Sequence, residues 1–186
     1  MLFWLALITL IVLTALLFDL VRGNRSIRFL RDVRAALPAE PPRVSVVIAA
    51  RDEERHLGAA LDSLLAQDYP DYEVIAVDDR SGDATPAILA ARAALHPHLK
   101  VVRIDVLPEG WLGKNHALQR GAEAAAGAII VFADADVVMR PDALRCGVAY
   151  ALSAKRDHIA VAPEVVAPGV LLGMLIGTFI LFFSIY

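Results

Sequence analysis

EVIAV (Glu73 to Val77) runs straight into Asp78-Asp79, and AIIVFA (Ala128 to Ala133) runs straight into Asp134-Ala135-Asp136. In an open α/β sheet ligands gather outside the carboxyl ends of the strands, so these acids are expected to share one rim. Clustered carboxylates repel one another and lose solvation unless a cation joins them. The partner this chemistry implies is a hard divalent ion carrying a diphosphate.

Working outward, the chain alternates apolar, β-branched runs with helical stretches from about Arg43 onward. The runs are VSVVIAA (Val44 to Ala50), YEVIAV (Tyr72 to Val77), LKVVRI (Leu99 to Ile104) and AIIVFA, with IAVAP (Ile159 to Pro163) a candidate fifth. Between them the pattern predicts helices over Glu53 to Gln67, Thr85 to Leu95, Lys114 to Ala126 and Pro141 to Leu152, with Pro86 and Pro141 suited to first turns. Near-continuous apolar strands alternating with helices predict a Rossmann-like α/β fold with a mostly parallel sheet covered on both sides. At 186 residues the soluble part is large enough for one such core.

Chemistry on this fold belongs to the loops that leave the carboxyl edge. They are ARDEER (Ala50 to Arg55), DDRSGDAT (Asp78 to Thr85), LPEGWLGKNHA (Leu107 to Ala117) and DADV (Asp134 to Val137). Together they supply Asp52, Glu53, Asp78, Asp79, Asp83, Asp134 and Asp136, countered by Arg51, Arg80 and Lys114. That mixture suits a nucleotide diphosphate with a bridging metal: cations offset phosphates while acids reach ribose hydroxyls or base nitrogens. Asp52 and Asp83 also suit helix capping. No Gly-rich dinucleotide fingerprint follows the first strand and no GxxxxGK[ST] loop occurs, which excludes nicotinamide and ATPase readings. His96 and His98 flank Pro97 in a turn and read as solvated, while His116, near a helix start where it could approach a phosphate, reads first as a surface or packing residue. The single cysteine, Cys146, excludes an internal disulfide and a cysteine metal cluster.

The composition is 58% hydrophobic, and the excess lies in two terminal blocks. Leu2 to Phe18 carries no charge and provides a transmembrane anchor over residues 1–21. No basic segment precedes it and no small-residue cleavage site follows, unlike a signal peptide. Arginines at 22, 25, 28, 31 and 34, with Asp32 the one acid among them, leave +4 on a chain of net charge −3. On a continuous helix this spacing spirals, giving either a collar on anionic headgroups or a topological stop signal. The positive-inside rule sets the soluble domain in the cytoplasm, at the cell membrane. The basic segment and the stiff linker PAEPP fill residues 22–42, the nucleotide-binding domain is expected over 43–167, and a membrane or interfacial helix over 168–186. From Val170 to Tyr186 that helix would reach about 26 Å against roughly 30 Å of hydrocarbon. Gly169, Gly173 and Gly177 lie along it at four-residue spacing, which suits close helix approach in lipid.

VSVVIAARDEE, VDDRSGDAT, GWLGKNHAL and the acids ending AIIVFADADV, in this order, resemble membrane-associated family 2 glycosyltransferases with the GT-A fold. The lipid-modifying members, such as ceramide glucosyltransferase and the hopanoid and carotenoid glycosyltransferases, are the nearest in kind. The resemblance covers about Arg43 to Val138. It implies an enzyme that moves a sugar from a nucleotide-diphosphate sugar, a UDP-sugar first, to an acceptor that the membrane segments suggest is a lipid. Nucleic acid is not an expected partner. It implies that Glu53 and Asp79 contact the nucleoside, supported by Asp78 and Asp83, and that Lys114 lies near the diphosphate. Asp134 would sit near ribose and metal, and Asp136 would bind Mn²⁺ or Mg²⁺. Ala49, Asp52 and the Gln119-Arg120-Gly121 element depart from the family pattern. The family draws its catalytic base from a downstream acidic motif followed by Gln-x-x-Arg-Trp, absent from the 50 residues after Asp136. The base is therefore expected beyond Tyr186, Glu164 being a remote substitute. Two other readings stay open: a nucleotide-binding module without transfer, and a bitopic membrane scaffold that pairs through its glycine face.

Overall fold

The computed structural model describes residues 2–26, 28–34, 36–164 and 169–183. They divide into two units, residues 1–32 with 160–186, and residues 33–159.

In the first unit, α1 (Leu2–Ser26) contains a 22-residue apolar stretch, Leu2–Gly23, long and apolar enough to cross a membrane. The expected spiral of five arginines does not form, because the helix ends at Ser26 and leaves only Arg22 and Arg25 on it. A short 3₁₀ turn follows at Leu30–Asp32, with the Arg31 guanidinium 4.4 Å from the Phe29 ring centre. The second apolar helix, α6 (Val170–Phe183), touches α1. Among the described residues nothing lies within 4 Å of a Cβ added at Gly173 or Gly177. The expected domain boundary at 167 lies outside the described residues.

The second unit is a four-stranded, fully parallel sheet of order β3-β2-β1-β4. Its strands are β1 (Val44–Ala50), β2 (Tyr72–Asp79), β3 (Leu99–Ile104) and β4 (Ile129–Asp134). Its helices are α2 (Leu57–Leu65), α3 (Thr85–Leu95), α4 (Gly113–Glu123) and α5 (Ala143–Ser153). Side chains alternate across a strand. Val46, Ile48, Val74 and Ala76 therefore pack on one face with Leu57, Leu61 and Leu64 of α2, Leu89 of α3, and Leu144 and Val148 of α5. On the other face Val47, Ile75, Val77 and Ile104 pack with Ala117 of α4. Gly121 lets α4 lie close, since a Cβ there would stand 2.3 Å from Val47 Cγ1. Ile130 and Phe132 on the edge strand β4 remain exposed.

Two helices start later than their sequence pattern predicts. The Glu53 carbonyl accepts the His56 and Leu57 amides, which closes a turn before α2, and Pro141 lies in the turn ahead of α5, where its carbonyl accepts the Asp68 amide. Ile159 to Pro163 forms no strand. Lys155 turns the chain at φ 50° after α5, and Pro163 lacks the N–H a ladder requires.

The amino edge of the sheet holds a buried acid. Glu73 Oε1 accepts the Ser45 hydroxyl at 2.7 Å and the Ala126 amide at 2.8 Å, while Ser45 Oγ accepts the Gly127 amide. Oε2 is met by ion pairs with Lys100 at 2.7 Å and Arg43 at 3.4 Å instead of an aligned hydrogen bond. Burial pushes the carboxyl up, but the contacts from Lys100, Ser45 and Ala126 outweigh it and bring its pKa to about 2. The network ties the α4–β4 connection to β1 and β2.

Candidate active site

The chain adds β2 and β3 on one side of β1, then returns to lay β4 on the other. This reversal makes the carboxyl ends of β1 and β4 a topological switch point, where α/β sheets bind ligands. Register fixes what stands there: Ala50 pairs with Asp78 and Ala49 with Asp134. Asp78 and Asp134 are thus nearly level, two strand spacings or about 10 Å apart. Asp79 ends β2, opposite Ile104, and Asp136 follows in the turn after β4, beyond the buried Ala135.

The first two loops are sewn together. Asp52 Oδ1 accepts the Gly82 amide at 2.8 Å, and the Asp52 amide donates to Ser81 Oγ at 3.2 Å. Asp83 accepts the Glu54 and Thr85 amides, and Glu54 Oε2 accepts the Ala84 amide. The Thr85 hydroxyl accepts the Glu53 amide at 2.9 Å, holding Glu53 half-buried with a carboxylate that has no partner among the described residues. Burial pushes Asp83 up, but the bonds from Thr85 and Glu54 win and hold it below the ordinary range. Both loop tips carry non-glycine residues in the left-handed region, Asp52 at φ 55° and Arg80 at φ 59°. Backbone strain of this kind collects at functional sites.

Within this frame the acids divide. Asp78 is buried, and its carboxylate accepts the Ser81 amide at 3.2 Å and faces Arg103 at 4.0 Å. Asp79 is gripped by the Arg80 fork at 2.8 and 3.0 Å. Those bonds hold its carboxyl below the usual range against the opposing effect of burial, with smaller help from Arg51 and His116.

The third loop closes over the rim. A Cβ on Gly113 would lie 2.8 Å from Asp79 Oδ2, 3.0 Å from an Arg80 nitrogen and 4.0 Å from one of Arg51, so glycine lets α4 begin against the Asp79–Arg80 pair without displacing it. The next residue, Lys114, places Nζ 2.5 Å from Asp134 Oδ1. Among the described residues the Gly113, Lys114 and Asn115 amides have no acceptor, since the first amide to bond back is that of His116, to Leu112. Free amides at the positive end of the helix dipole, with Arg51 beside them, suit this end of α4 to phosphate, while Arg80 and Lys114 are paired with Asp79 and Asp134. His116 is buried, with its ring centre 5.3 Å from that of Trp111 and its Nδ1 unpartnered.

Asp134 and Asp136 are both exposed, and Asp136 makes no hydrogen bond or ion pair among the described residues. No group of three or more His, Cys, Asp or Glu side chains among the described residues could hold a metal by itself. Two hard oxygen donors beside the open amides of a helix start fit Mg²⁺ or Mn²⁺ that arrives with a diphosphate, because such ions take one or two carboxylates plus phosphate oxygens. The Lys114 ammonium supplies positive charge at the Asp134 carboxylate. A groove of about 580 Å³ between Ala36 to Pro41 and Gln67 to Pro70 lies toward the amino edge, away from these acids.

The structure thus gathers Asp78, Asp79, Lys114 and Asp134 along one edge, with Glu53, Asp83 and Asp136 on the adjoining loops. Arg103 escaped the sequence reading; its signal was a second basic residue, beside Lys100, in the mostly apolar LKVVRI strand. His116 is buried, and His96 and His98 are half-buried instead of solvated, with His98 edge-on to Tyr72 at 5.2 Å. Cys146 is likewise half-buried.

Known proteins similar to this chain include glycosyltransferases. Beta-monoglucosyldiacylglycerol synthase of Synechocystis sp. is 40% identical over 111 residues, 59% of this chain and 23% of the relative. The 4,4'-diaponeurosporenoate glycosyltransferase of Staphylococcus aureus is 31% identical over 125 residues, 64% of this chain and 31% of the relative. Among solved structures, the mannosyltransferase PcManGT of Pyrobaculum calidifontis, in complex with GDP-Man and Mn²⁺, superposes with a TM-score of 0.58 at 32% identity, over 73% of this chain and 39% of that one. TarS of S. aureus in complex with UDP-GlcNAc gives a TM-score of 0.52 at 26% identity, over 68% of this chain and 37% of that one. The chain therefore spans less than a third of these curated relatives and less than half of the solved chains. The pattern described as Glycosyl transferase family 2 matches residues 45–176, most of the chain and every loop of the rim. With its parallel sheet, its switch-point acids and this match, the chain belongs to glycosyl transferase family 2 and has a GT-A-like fold.

Proposed function

We propose that this chain forms the donor- and metal-binding part of an enzyme that transfers a sugar from a nucleotide-diphosphate sugar, UDP-linked in the first instance, to a lipid hydroxyl. The observation that carries this reading is the shared edge of Asp78, Asp79, Lys114 and Asp134 beside the free amides of α4. Relatives named for diacylglycerol and diaponeurosporenoate chemistry support a lipid acceptor, as does an apolar helix at the start of the chain.

In this reading Glu53 and Asp79 hold the nucleoside, while Asp78 and Asp83 keep their loops in shape by accepting backbone amides. Lys114 and the amides at the start of α4 take the diphosphate, and Asp134 with Asp136 hold Mn²⁺ or Mg²⁺. The bound cation offsets charge on the departing nucleotide diphosphate. Lys114 then exchanges its Asp134 partner for a phosphate oxygen, keeping its charge paired throughout. Displacement inverts the anomeric centre, with the acceptor proton taken by a carboxylate outside the four rim loops. Residues 1–21 anchor the chain, 22–42 form the basic segment and linker, 43–167 the donor domain on the cytoplasmic side, and 168–186 a membrane or interfacial helix.

Calorimetric titration of UDP and GDP into the detergent-purified chain tests this. The expected result is nucleotide heat that requires Mn²⁺ or Mg²⁺ and disappears in Asp136→Ala. Binding that is indifferent to metal, or unchanged in the variant, overturns the metal assignment.

A further inference from the structure

We propose that the segment at the carboxyl end of the apolar stretch of α1 is a binding surface for anionic phospholipid headgroups, formed by Arg22, Arg25 and Arg28 with Phe29 as its apolar wedge. The proposal rests on α1 crossing a bilayer and is independent of the donor site.

The apolar stretch of α1 extends over Leu2–Gly23, and a helix of that length spans about 33 Å, close to the hydrocarbon thickness. Arg22 and Arg25 therefore emerge where the headgroups begin. Asp19 precedes Arg22 by three residues, a spacing that pairs opposite charges on a helix. Yet the side chains of Arg22, Arg25 and Arg28 make no ion pair or hydrogen bond among the described residues, and each is exposed. Three guanidiniums thus stand without internal counterions at the membrane surface. Guanidinium is a planar, permanently charged donor that fits phosphate oxygens in pairs. Phe29 is 55% exposed, and Arg31 lies over its ring. An exposed aromatic side chain capped by a cation has the apolar body and polar tip that settle at a bilayer interface.

The helix break at Ser26 gives this reading its shape. A continuous helix would have spread the arginines around its circumference and carried the later ones away from the surface. Because α1 ends at Ser26, Arg28 and Phe29 follow it off the helix, ahead of the turn at Leu30–Asp32. The occupant is a lipid phosphate in the bilayer instead of a free phosphate, because the apolar span and Phe29 are continuous with the basic group.

The test uses the full chain in phosphatidylcholine bilayers containing spin-labelled phosphatidylglycerol or spin-labelled phosphatidylcholine, with the fraction of each label immobilised at the protein read by electron spin resonance. A preference of at least twofold for phosphatidylglycerol is expected, reduced by high salt and lost in the Arg22→Gln/Arg25→Gln/Arg28→Gln variant. Inorganic phosphate at millimolar concentration should leave the preference intact, and its abolition would mark a free-phosphate site and overturn the proposal. Equal association of both lipids, or selectivity unchanged in the variant, overturns it as well. Resistance to alkaline carbonate extraction reads the anchor separately. Release by carbonate removes the span and the proposal together, whereas retention without lipid preference removes the proposal alone and leaves the arginines as topological signals.

Discussion

Lys114 Nζ lies 2.5 Å from Asp134 Oδ1, joining the first turn of α4 to the last residue of β4. Both side chains are more than half exposed, and pairs of this kind contribute about 0–1 kcal/mol to stability. The contact does little for the fold, so its significance lies in what it holds ready.

Replacing Lys114 with Gln should therefore separate binding from stability. The variant is expected to keep its thermal midpoint within about 3 °C of the parent. Its affinity for UDP or GDP with Mn²⁺ should fall about tenfold or more, as loss of a charge-assisted phosphate contact requires. Circular dichroism melting and calorimetry read the two quantities.

Gly113→Ala and Gly121→Ala form a contrasting pair. At Gly113 a Cβ would meet Asp79 and Arg80, so the ion pair must shift and nucleotide affinity should drop several-fold with little change in Tm. At Gly121 it would meet Val47 beneath α4, an overpacking cost of about 1–3 kcal/mol. That variant should melt several degrees lower, and below its transition it should still bind nucleotide.

Asp83→Ala removes an acceptor shared by the Glu54 and Thr85 amides. Losing a cap of this type costs about 1 kcal/mol. Hydrogen exchange of the Glu54, Gly82 and Thr85 amides should speed up together, because the same stitches join both loops.

The Glu73 carboxyl, with its pKa brought to about 2, makes stability depend on acid. A depressed pKa contributes stability that is fully present above the unfolded value near 4.5 and is lost as pH falls toward 2. The contribution at neutral pH is about 3 kcal/mol. Glu73→Gln should melt well below the parent at pH 7, and the gap should narrow by pH 3. A gap that stays constant would show that the ionised form has no special role.

Much of this was legible because the strands are apolar and the acids stand where the apolar runs stop. β1 and β3 fall where the runs predict, and the parallel sheet follows from their alternation with helices. β2 extends through Asp78 and Asp79, because Ala50 of β1 and Arg103 and Ile104 of β3 continue the ladder beside them, and a run of apolar letters cannot report such neighbours. Asp83 and Asp52 read equally well as ligands or caps, and loop-to-loop bonding across some thirty residues decides how they are used here. Arg103 needed the β2–β3 register to be seen facing Asp78. Glu73 looked like an ordinary first residue of a strand until Lys100, Ser45 and Ala126 were found around it.

β2 carries both Glu73 and Asp79, six residues or about 20 Å apart, one fastening the amino edge and the other belonging to the rim. The same strand is therefore a keel at one end and a workbench at the other. Mutational drift at Ser45 or Lys100 adjusts how firmly the protein resists heat or acid without disturbing the rim loops. Those loops can in turn diversify while the hull beneath them stays sound.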